Sequence, residues 1–381
     1  MSEWQTTSLS DLCSDISYGY TASAKQTGGG PKFLRITDIV PDRINWSDVP
    51  YCDASEKDIQ KYKLKNGDIV IARTGATTGY NKLIKDISFD AVFASYLIRY
   101  EIDERKAHPE YVGHVLQSVA WRDYVDAIAG GSAQPGANAK QLGSFELAIP
   151  PIPEQKSIAA VLSSLDDKID LLHRQNQTLE AMAATLFRQW FVEEAQEDWE
   201  DGSLGDVIDI FDGQRIPLSR MERDKKKDGV LYPYYGAAQI MDYINDYIFD
   251  GEYILLGEDG TVRTDEGYPV LQYATGKFWV NNHTHVLKAK APYSNYFLWN
   301  YLLKKNIDQI VTGAVQPKIN QGNLKSLSFP RYPKDLVMEF NEIVEPMLSK
   351  SQHNKAQIAL LGKLRDNLLP KLMSGEVRVA Y

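Results

Sequence analysis

The chain contains an internal repeat, and this repeat limits its possible folds more than any other feature of its 381 residues. Residues 131–173 are matched by residues 313–355, which lie 182 positions downstream. The matched positions are Gly131, Gln134, Pro135, Asn138 and Leu142, which recur as Gly313, Gln316, Pro317, Asn320 and Leu324. A duplicated unit of domain size predicts a molecule with approximate two-fold symmetry, and such molecules tend to bind two-sided partners.

The repeat extends to the start of both halves, although insertions shift its offset. Residues 4–11 match residues 199–206, whereas the segment between positions 31 and 131 shares little with its counterpart. We therefore predict two related domains that have a common frame and different interiors. This is the pattern expected when two domains recognise different things.

Composition places the chain among ordinary globular proteins, because 43% of its residues are hydrophobic and 24% are charged. Only Cys13 and Cys52 are present, so we expect no structural disulfide and a reducing cytoplasm. No apolar run approaches membrane-spanning length. The net charge of −9 disfavours nucleic acid at first, but binding depends on where the basic residues lie.

Residues 150–190 predict a long helix. Pro150, Pro151 and Pro153 disfavour helix before Glu154, whose carboxylate suits the positive end of a helix. Apolar residues then alternate spacings of four and three, which is typical of a coiled coil. The seam consists of Ile158, Leu162, Leu165, Ile169, Leu172, Asn176, Leu179, Ala183, Leu186 and Trp190.

The offset of 182 carries this seam into the second half. We expect the second helix to stop near Pro370, with Ser374 and Gly375 as its terminator. The two helices should pair antiparallel as a ruler, with polar seam residues fixing their register. The alternative is that each packs on its own domain as an ordinary amphipathic helix. The second seam consists of Phe340, Val344, Met347, Ser351, Asn354, Ile358, Leu361, Arg365, Leu368 and Leu372.

The sequence predicts an α+β fold, with two pseudo-symmetric mixed α/β domains separated by two long antiparallel coiled-coil helices. The predicted parts are a first domain at 1–150, a first helix at 151–198, a second domain at 199–332, a second helix at 333–375 and a tail at 376–381. Strands are predicted at 68–72, 92–100, 252–256 and 280–287, and shorter helices at 109–125 and 295–310.

Motifs for catalysis or cofactor binding are missing from the sequence: it has no Gly-x-Gly-x-x-Gly after a strand, no Walker loop, no methyltransferase box and no Gly-x-Ser-x-Gly elbow. His283 and His285 should project from one face of a strand, where packing or a polar contact is favoured over a metal site. Asp166, Asp167 and Asp170 lie off the seam and are interpreted as a solvated helix face. We predict no catalytic residue and no metal site in this chain.

Polar and aromatic side chains on predicted loops are the candidates for ligand contact. Residues 73–80 directly follow a strand, and their glycines let a ligand approach the backbone. Arginine, glutamine and asparagine read base edges, whereas threonine, lysine and tyrosine often hold phosphates. For each candidate the alternative is a surface position without function, and for the basic cluster at 220–227 it is a solvated loop. The candidates are Tyr20, Lys25, Arg73, Thr74, Thr77, Thr78, Tyr80, Gln134, Arg215, Arg220, Lys225, Lys226, Lys227, Tyr234, Tyr235, Gln239, Arg263, Gln316 and Lys318.

Taken together, these motifs resemble the DNA-specificity subunit of type I restriction-modification systems. The resemblance rests on Gly-x-x-Gln-Pro-x-x-Asn at 131–138 and 313–320, Pro-Pro-x-Pro-Glu-Gln at 150–155, the long helix, and Leu-Leu-Pro-Lys-Leu-Met-Ser-Gly-Glu at 368–376. Residues 67–79 also resemble the family's target-recognition domains, so the resemblance covers the whole chain. The second copy departs at 332–335, where Tyr-Pro-Lys-Asp replaces Pro-x-Glu-Gln.

The resemblance implies a non-catalytic subunit whose target-recognition domains each read one half of a bipartite site in double-stranded DNA. The helices would set the gap and dock two methyltransferase (modification) subunits, and nuclease-translocase (restriction) subunits would join for cleavage. S-adenosylmethionine, ATP and Mg would belong to those partners, with no cofactor in this chain. From the residues alone, a protein-only adaptor with two binding domains on a coiled-coil stem stays open, as does an enzyme with a disguised site.

Overall fold

The computed structural model describes residues 4–41, 43–129, 136–195, 199–313 and 316–380. The chain divides into two units: unit 1 comprises Met1–Leu171 with Gln357–Tyr381, and unit 2 comprises Leu172–Ala356. Each long helix contributes one part to each unit, because the boundaries at 171/172 and 356/357 fall inside the helices. The division into consecutive domains at 1–150 and 199–332 stays a prediction.

Unit 1 is built on a four-stranded antiparallel sheet in the order β2-β7-β4-β5, beside the antiparallel pair β1-β8 and the parallel pair β3-β6. Its elements are β1 (Gln5–Ser8), β2 (Cys13–Tyr18), β3 (Lys32–Leu34), α1 (Ile36–Ile39), α2 (Glu56–Tyr62), β4 (Asp68–Ala72), β5 (Asn81–Leu83), β6 (Ala91–Phe93), β7 (Leu97–Ile102), α3 (Pro109–Val115), α4 (Val119–Ala129), α5 (Ala139–Gly143), β8 (Glu146–Ile149) and the start of α6 (Ile152–Arg188). Every residue of β4 is buried, so the sheet has a rigid central strand.

Unit 2 contains one six-stranded sheet in the order β11-β10-β13-β12-β14-β9. Its elements after α6 are α7 (Leu204–Val207), β9 (Ile208–Ile210), α8 (Arg220–Asp224), β10 (Tyr232–Tyr235), β11 (Ile240–Ile244), β12 (Phe249–Gly257), β13 (Leu271–Val280), β14 (Thr284–Ala289), α9 (Asn295–Leu303), α10 (Gln321–Lys325) and the start of α11 (Lys334–Met373). Only β10 and β13 pair in parallel; the other neighbours in this sheet are antiparallel. The predicted class, with mixed α/β domains and two long helices, is confirmed.

Several predicted elements have different limits in the structure. The strand at 68–72 is confirmed as β4, and 252–256 lies within β12. The strand at 92–100 is two strands, because a turn closed by the Leu97 N–H and the Ala94 carbonyl, 2.8 Å apart, separates β6 from β7. The prediction of one strand at 280–287 is wrong, since β13 ends at Val280 and β14 begins at Thr284.

The two shorter helices are also interrupted. The prediction at 109–125 is two helices, because Ser118 starts a new one by accepting the Trp121 N–H on its Oγ at 3.3 Å. The prediction at 295–310 is α9, which ends at Leu303, followed by a single turn of 3-10 helix at Asp308–Ile310. In both cases the spacing of apolar residues predicted one continuous helix, but a turn of polar residues divides it.

All positions of the two predicted seams are buried or half-buried, whereas most intervening positions are exposed. Within unit 2, Asn354 Nδ2 donates to Asn176 Oδ1 at 2.9 Å, and Ser351 Oγ donates to Glu180 Oε1 at 3.1 Å. Rising numbers in α11 therefore face falling numbers in α6, and the helices pair antiparallel.

The alternative prediction, that each long helix packs on a globular domain as an ordinary amphipathic helix, also holds in part. The ends of both helices contribute side chains to the cores of the two units. Ile158 and Leu162 of α6 lie in one cluster with Leu372 of α11 and the buried face of the unit 1 sheet. In unit 2 the aromatic rings of Phe187 and Phe340 lie 5.9 Å apart and pack on the core under the sheet. The helices thus combine a two-helix seam with ordinary packing on each unit.

The carboxylates predicted as a solvated helix face are only partly so. Asp166 accepts from the Arg365 guanidinium at 2.9 Å, and Asp170 forms an ion pair with Arg43. Asp167 is exposed, as predicted. The interpretation as a solvated helix face was wrong for Asp166 and Asp170. Their basic partners, Arg365 and Arg43, lie far from them in the sequence, so the spacing of residues does not reveal these ion pairs.

The ends of the helices follow local chemistry. Helix α6 begins at Ile152, so Pro153 lies in the first turn, where no N–H is needed. Helix α11 passes Pro370 and ends at Met373, three residues beyond the predicted stop. Gly375 then adopts φ +72°, a conformation that favours glycine, and the Val377 N–H bonds to the Lys371 carbonyl at 3.1 Å.

Candidate nucleic-acid interface

The loop at 73–80 leaves the buried strand β4 of unit 1 with a fixed backbone. The Arg73 N–H donates to the Tyr96 carbonyl at 3.1 Å, and the Arg73 carbonyl accepts from the Ala137 N–H at 3.0 Å. Gly79 has φ +86°, and a Cβ there would meet Val125 at 2.7 Å, so this position requires glycine. The loop is therefore held on both sides.

The side chain of Arg73 is oriented by two further contacts. Its Nε donates to the Ser95 carbonyl at 3.1 Å, and its guanidinium carbon lies 5.2 Å from the centroid of the Tyr18 ring. Tyr18, Tyr80 and Tyr96 are 43%, 48% and 58% exposed, so their rings can contact a ligand. A cation among exposed aromatic rings can contact bases, sugars or phosphates.

Unit 2 repeats this backbone arrangement with different side chains. The Glu258 N–H donates to the His283 carbonyl at 2.9 Å, and the Glu258 carbonyl accepts from the Ile319 N–H at 2.8 Å. Ile319 lies 182 positions after Ala137, so Glu258 occupies the position that Arg73 has in unit 1. The same backbone position carries a positive charge in one unit and a negative charge in the other.

A buried ionic network surrounds Glu258. Arg215, whose side chain is 12% exposed, donates to Glu258 Oε2 at 2.6 Å and to the Thr284 carbonyl at 2.7 Å. The charge of Arg215 is thus paired inside the unit, and a DNA contact by Arg215 stays a prediction. Sequence spacing does not show a partner that lies across a sheet.

His285 completes this network. Its Nδ1 lies 2.6 Å from Asp212 Oδ2 and its Nε2 lies 2.8 Å from the Ile319 carbonyl oxygen. Both nitrogens thus face oxygen atoms, and these two contacts hold the buried ring in place. Burial raises the pKa of Asp212, but the hydrogen bond and charge of His285 outweigh this effect and lower the pKa overall.

Asp212, Glu258 and His285 also have the residue types of a metal site, with ligand atoms within 4.8 Å of one another. However, Glu258 Oε2 already accepts from Arg215, and Asp212 Oδ2 lies beside the His285 Nδ1. A guanidinium 3.6 Å from Asp212 also repels a cation. The arrangement fits an internal salt-bridge network better than a metal centre.

The two histidines predicted on one strand face have separate surroundings. His283 precedes β14, in a turn where its N–H donates to Asn281 Oδ1 at 2.9 Å. Its ring bonds to Asp259 at 2.6 Å and is half exposed, whereas the His285 ring is fully buried. The shared-face prediction is wrong because the strand starts one residue after His283.

The tyrosine candidates differ in exposure. Tyr234 is 1% exposed, and its hydroxyl accepts the Leu218 N–H at 2.9 Å, so the structure gives its ring a place in the core, and a DNA contact there stays a prediction. Tyr235 is half-buried against a core cluster of unit 2. Tyr20 is half-buried, with its ring 5.3 Å from that of Tyr62. Tyr80 alone among these four candidates presents an exposed ring.

The basic candidates are mostly paired. Lys25 pairs with Asp53, Arg263 with Asp308, Lys226 with Asp246, and Lys227 with Asp242. Arg220 lies 3.9 Å from Asp224, Lys318 lies 3.4 Å from Glu258, and Lys225 is exposed. Residues 220–224 form α8, capped by Ser219, so the solvated-loop alternative is wrong for that part.

The remaining candidates lie on or near the loops. Thr78 Oγ1 donates to the Gly75 carbonyl at 2.7 Å, Thr77 Oγ1 donates to the Thr74 carbonyl at 3.4 Å, and all three threonines are half-buried. Gln239 and Gln316 are exposed. Gln134 lies outside the described residues.

Sequence reasoning left three important residues off its list of candidates. Tyr96 lies in a predicted strand, and only the break between β6 and β7 exposes its ring. Asp212 and Gln321 are joined by a 2.7 Å hydrogen bond from Gln321 Nε2, although they lie 109 residues apart. Gln321 directly follows the repeated Asn320, and this repeat was a sequence signal for its region.

Comparison with known proteins adds independent information. The family model for the type I restriction modification DNA specificity domain matches residues 1–181 and again residues 196–334. The chain is 25% identical to the type I restriction enzyme MjaIX specificity subunit of Methanocaldococcus jannaschii, over 99% of the chain and 94% of that protein. It is 24% identical to the MjaVIII specificity subunit of the same organism, over 83% and 80% respectively.

A solved structure is similar to the whole chain. The type I restriction-modification S subunit from M. genitalium aligns with a TM-score of 0.64 and 17% identity, over 97% of this chain and 96% of that one. This likeness shows a shared fold. Among the residues that the model describes, no helix has the length and apolar character needed to cross a membrane.

Proposed function

Because the chain belongs to the type I restriction-modification DNA specificity family, we propose that its two halves each recognise one part of a bipartite target in double-stranded DNA. The target-recognition domains would be residues 1–150 and 199–332. The observation that carries the proposal is the pair of equivalent loops, in which Arg73 of one unit is replaced by Glu258 of the other. Loops with one backbone and opposite charge cannot favour the same pattern of base donors and acceptors.

We propose that the long helices set the gap between the two half-sites. Helix α6 has 37 residues and α11 has 40, and at about 1.5 Å per residue each spans more than roughly 50 Å. In this division residues 151–198 and 333–375 are the spacer helices, and 376–381 are a tail. The polar Asn176–Asn354 pair would fix the register of the ruler.

The helices would also dock two methyltransferase subunits. Apolar side chains lie exposed on them, outside the seam, and their burial by a protein would be favourable. Nuclease-translocase subunits would join for cleavage, and S-adenosylmethionine, ATP and Mg would be bound by these partners in the cytoplasm. The exposed side chains are Leu171, Met182, Met338, Ile343, Leu360 and Leu364.

The proposal is tested by co-expressing the full chain with the methyltransferase subunit from its own system and mapping methylated adenines across a genome. We expect one motif of two short specified parts separated by a fixed number of unspecified bases. A continuous motif would contradict the bipartite assignment. If no methylation occurs and the assembled complex binds no DNA at any salt concentration, the protein-only adaptor is the better description.

A further inference from the structure

We propose that Arg73 determines specificity in the unit 1 half-site by reading a guanine through the major groove. This inference rests on the proposed function and assigns one base to one side chain. It starts from the geometry of the guanidinium rather than from its charge alone.

Two contacts orient the plane of the Arg73 guanidinium. Its Nε is used by the Ser95 carbonyl at 3.1 Å, and its carbon lies 5.2 Å from the Tyr18 ring. The Tyr18 hydroxyl in turn accepts the Ala139 N–H at 3.1 Å, which holds the ring. Within the described part of the chain, no residue hydrogen-bonds to the terminal amino groups of Arg73, so these groups can point toward a ligand.

A fixed plane matters for a base and little for a phosphate. The two parallel N–H groups of arginine match the O6 and N7 acceptors of guanine, and this is the commonest specific contact in the major groove. A phosphate contact needs only a nearby positive charge, which a mobile lysine supplies equally well. The Arg73 side chain is held at its Nε and against the Tyr18 ring, and its backbone is held as well. This restraint favours recognition of a base over contact with a phosphate.

Unit 2 cannot use its equivalent position in this way. Glu258 carries the opposite charge, and its carboxylate is held by Arg215 at 2.6 Å and by Lys318 at 3.4 Å. A carboxylate repels guanine O6 and N7. Of these two equivalent loop positions, only the one in unit 1 can recognise guanine. The half-site that contains this guanine is therefore the one bound by unit 1, and this fixes which end of the motif each unit binds.

The test uses the full chain assembled with its methyltransferase and duplexes carrying the mapped motif. Each guanine of the unit 1 half-site is replaced in turn by 7-deazaguanine, which lacks N7, or by inosine, which keeps both major-groove acceptors. For the native protein we expect one position where 7-deazaguanine weakens binding roughly five-fold or more, while inosine is tolerated. Arg73→Ala should abolish that difference and leave the unit 2 half-site unchanged.

Two further variants separate base reading from charge and from folding. Arg73→Lys keeps a charge for phosphates, so we expect it to lose the discrimination at the same base pair. Arg105→Gln removes an arginine that is 89% exposed and pairs with Asp103, and it should change neither discrimination nor thermal stability. Hydrogen exchange of unit 1 peptides shows whether each variant is folded.

The inference is overturned if Arg73→Ala weakens binding equally on all duplexes, if Arg73→Lys keeps full discrimination, or if the unit 1 half-site contains no guanine. These results leave bipartite recognition intact. If the native complex shows no sequence-specific binding at all, the proposed function fails, and this inference fails with it.

Discussion

Individual residues in unit 2 show how much a buried charge depends on its partners. Asp212 is 7% exposed and accepts from the Val286 N–H, Gln321 and His285. These bonds join β14 to the segments around Asp212 and Gln321. The network therefore holds the Glu258 loop in place, because the Glu258 carboxylate is itself bound by Arg215.

Removing one member of this network should be costly. We expect Asp212→Ala to reduce the stability of unit 2 by about 3–5 kcal/mol, because it leaves the buried His285 ring, the Val286 N–H and the Gln321 amide without their shared partner. Hydrogen exchange of β14 amides in the full chain measures this loss. The matched control is Asp224→Ala, whose exposed ion pair with Arg220 at 3.9 Å should contribute under about 1 kcal/mol. Equal losses in both variants would show that the network contributes no more than a surface pair.

In unit 1, the buried residue with the clearest pH dependence is His114. Its Nε2 lies 3.2 Å from the Ser163 hydroxyl, and its Nδ1 lies 3.8 Å from Asp166. Although serine, histidine and aspartate also form hydrolase triads, the Ser163 hydroxyl donates to Glu110 at 2.9 Å, which is not the arrangement of an activated nucleophile. The charged groups facing the ring are Lys85, Glu110, Asp166 and Arg365.

Burial lowers the pKa of His114 to about 4 from an ordinary value of 6.5. The unfolded chain therefore binds a proton that the folded chain refuses, and stability decreases as the pH falls from about 6.5 to about 4. The full effect is on the order of 3 kcal/mol. We expect His114→Gln to remove this slope from the stability of unit 1, measured by hydrogen exchange of α3 and α6 peptides. A slope identical to that of the native protein would exclude His114 as its source.

At the scale of elements, the two long helices depend on one buried amide pair. Asn176 and Asn354 are 6% and 0% exposed and hydrogen-bond to each other at 2.9 Å. The remainder of the seam is mainly apolar. A buried polar pair of this kind costs stability and specifies register.

The amide pair predicts an asymmetric response to substitution. Asn354→Ala should destabilise unit 2 by about 1–3 kcal/mol, because the buried Asn176 amide loses its partner. The double variant Asn176→Leu with Asn354→Leu should recover that loss, since two apolar side chains replace two polar ones. Chemical denaturation of the three proteins measures the comparison. A double variant less stable than the single one would contradict this account.

The helices also give a geometric prediction. Deleting one heptad from each helix, at 177–183 and at the facing residues 347–353, keeps the Asn176–Asn354 pair and the phase of the seam and shortens both helices by about 10.5 Å. We expect the gap of the methylated motif to decrease by about three base pairs, at roughly 3.4 Å each. Methylome sequencing of the assembled variant measures the gap. An unchanged gap would contradict the ruler, and deletion from only one helix should prevent methylation.

For the whole molecule, the repeat predicts that recognition is modular. Replacing residues 1–150 by the same segment of another family member should change only one half of the motif, because the loops at 73–80 and 258–264 lie in different units. Replacing residues 199–332 is the reciprocal control and should change the other half. If either replacement changed both halves, the units would not recognise their bases independently.

The success of sequence reasoning differed between elements for physical reasons. Both helix seams were predicted because their burial follows a regular period along the chain, and strand β4 was predicted because a turn at Asn66 and Gly67 precedes a short apolar run. The predictions of one strand at 280–287 and one helix at 109–125 failed because the side chains of Asn281 and Ser118 close turns within these segments. A turn of this kind depends on hydrogen bonds that periodicity does not show.

The sequence by itself determined the duplication, the two long helices and the family, because each is written in the spacing of residues along the chain. Only the tertiary structure decided which charges remain available to a ligand. Arg215 and Glu258 are 43 residues apart, and Asp212 and His285 are 73 apart, yet each pair meets within a single buried network. Sheet pairing brings such residues together, and the low-dielectric interior then uses charges that the sequence alone presents as free.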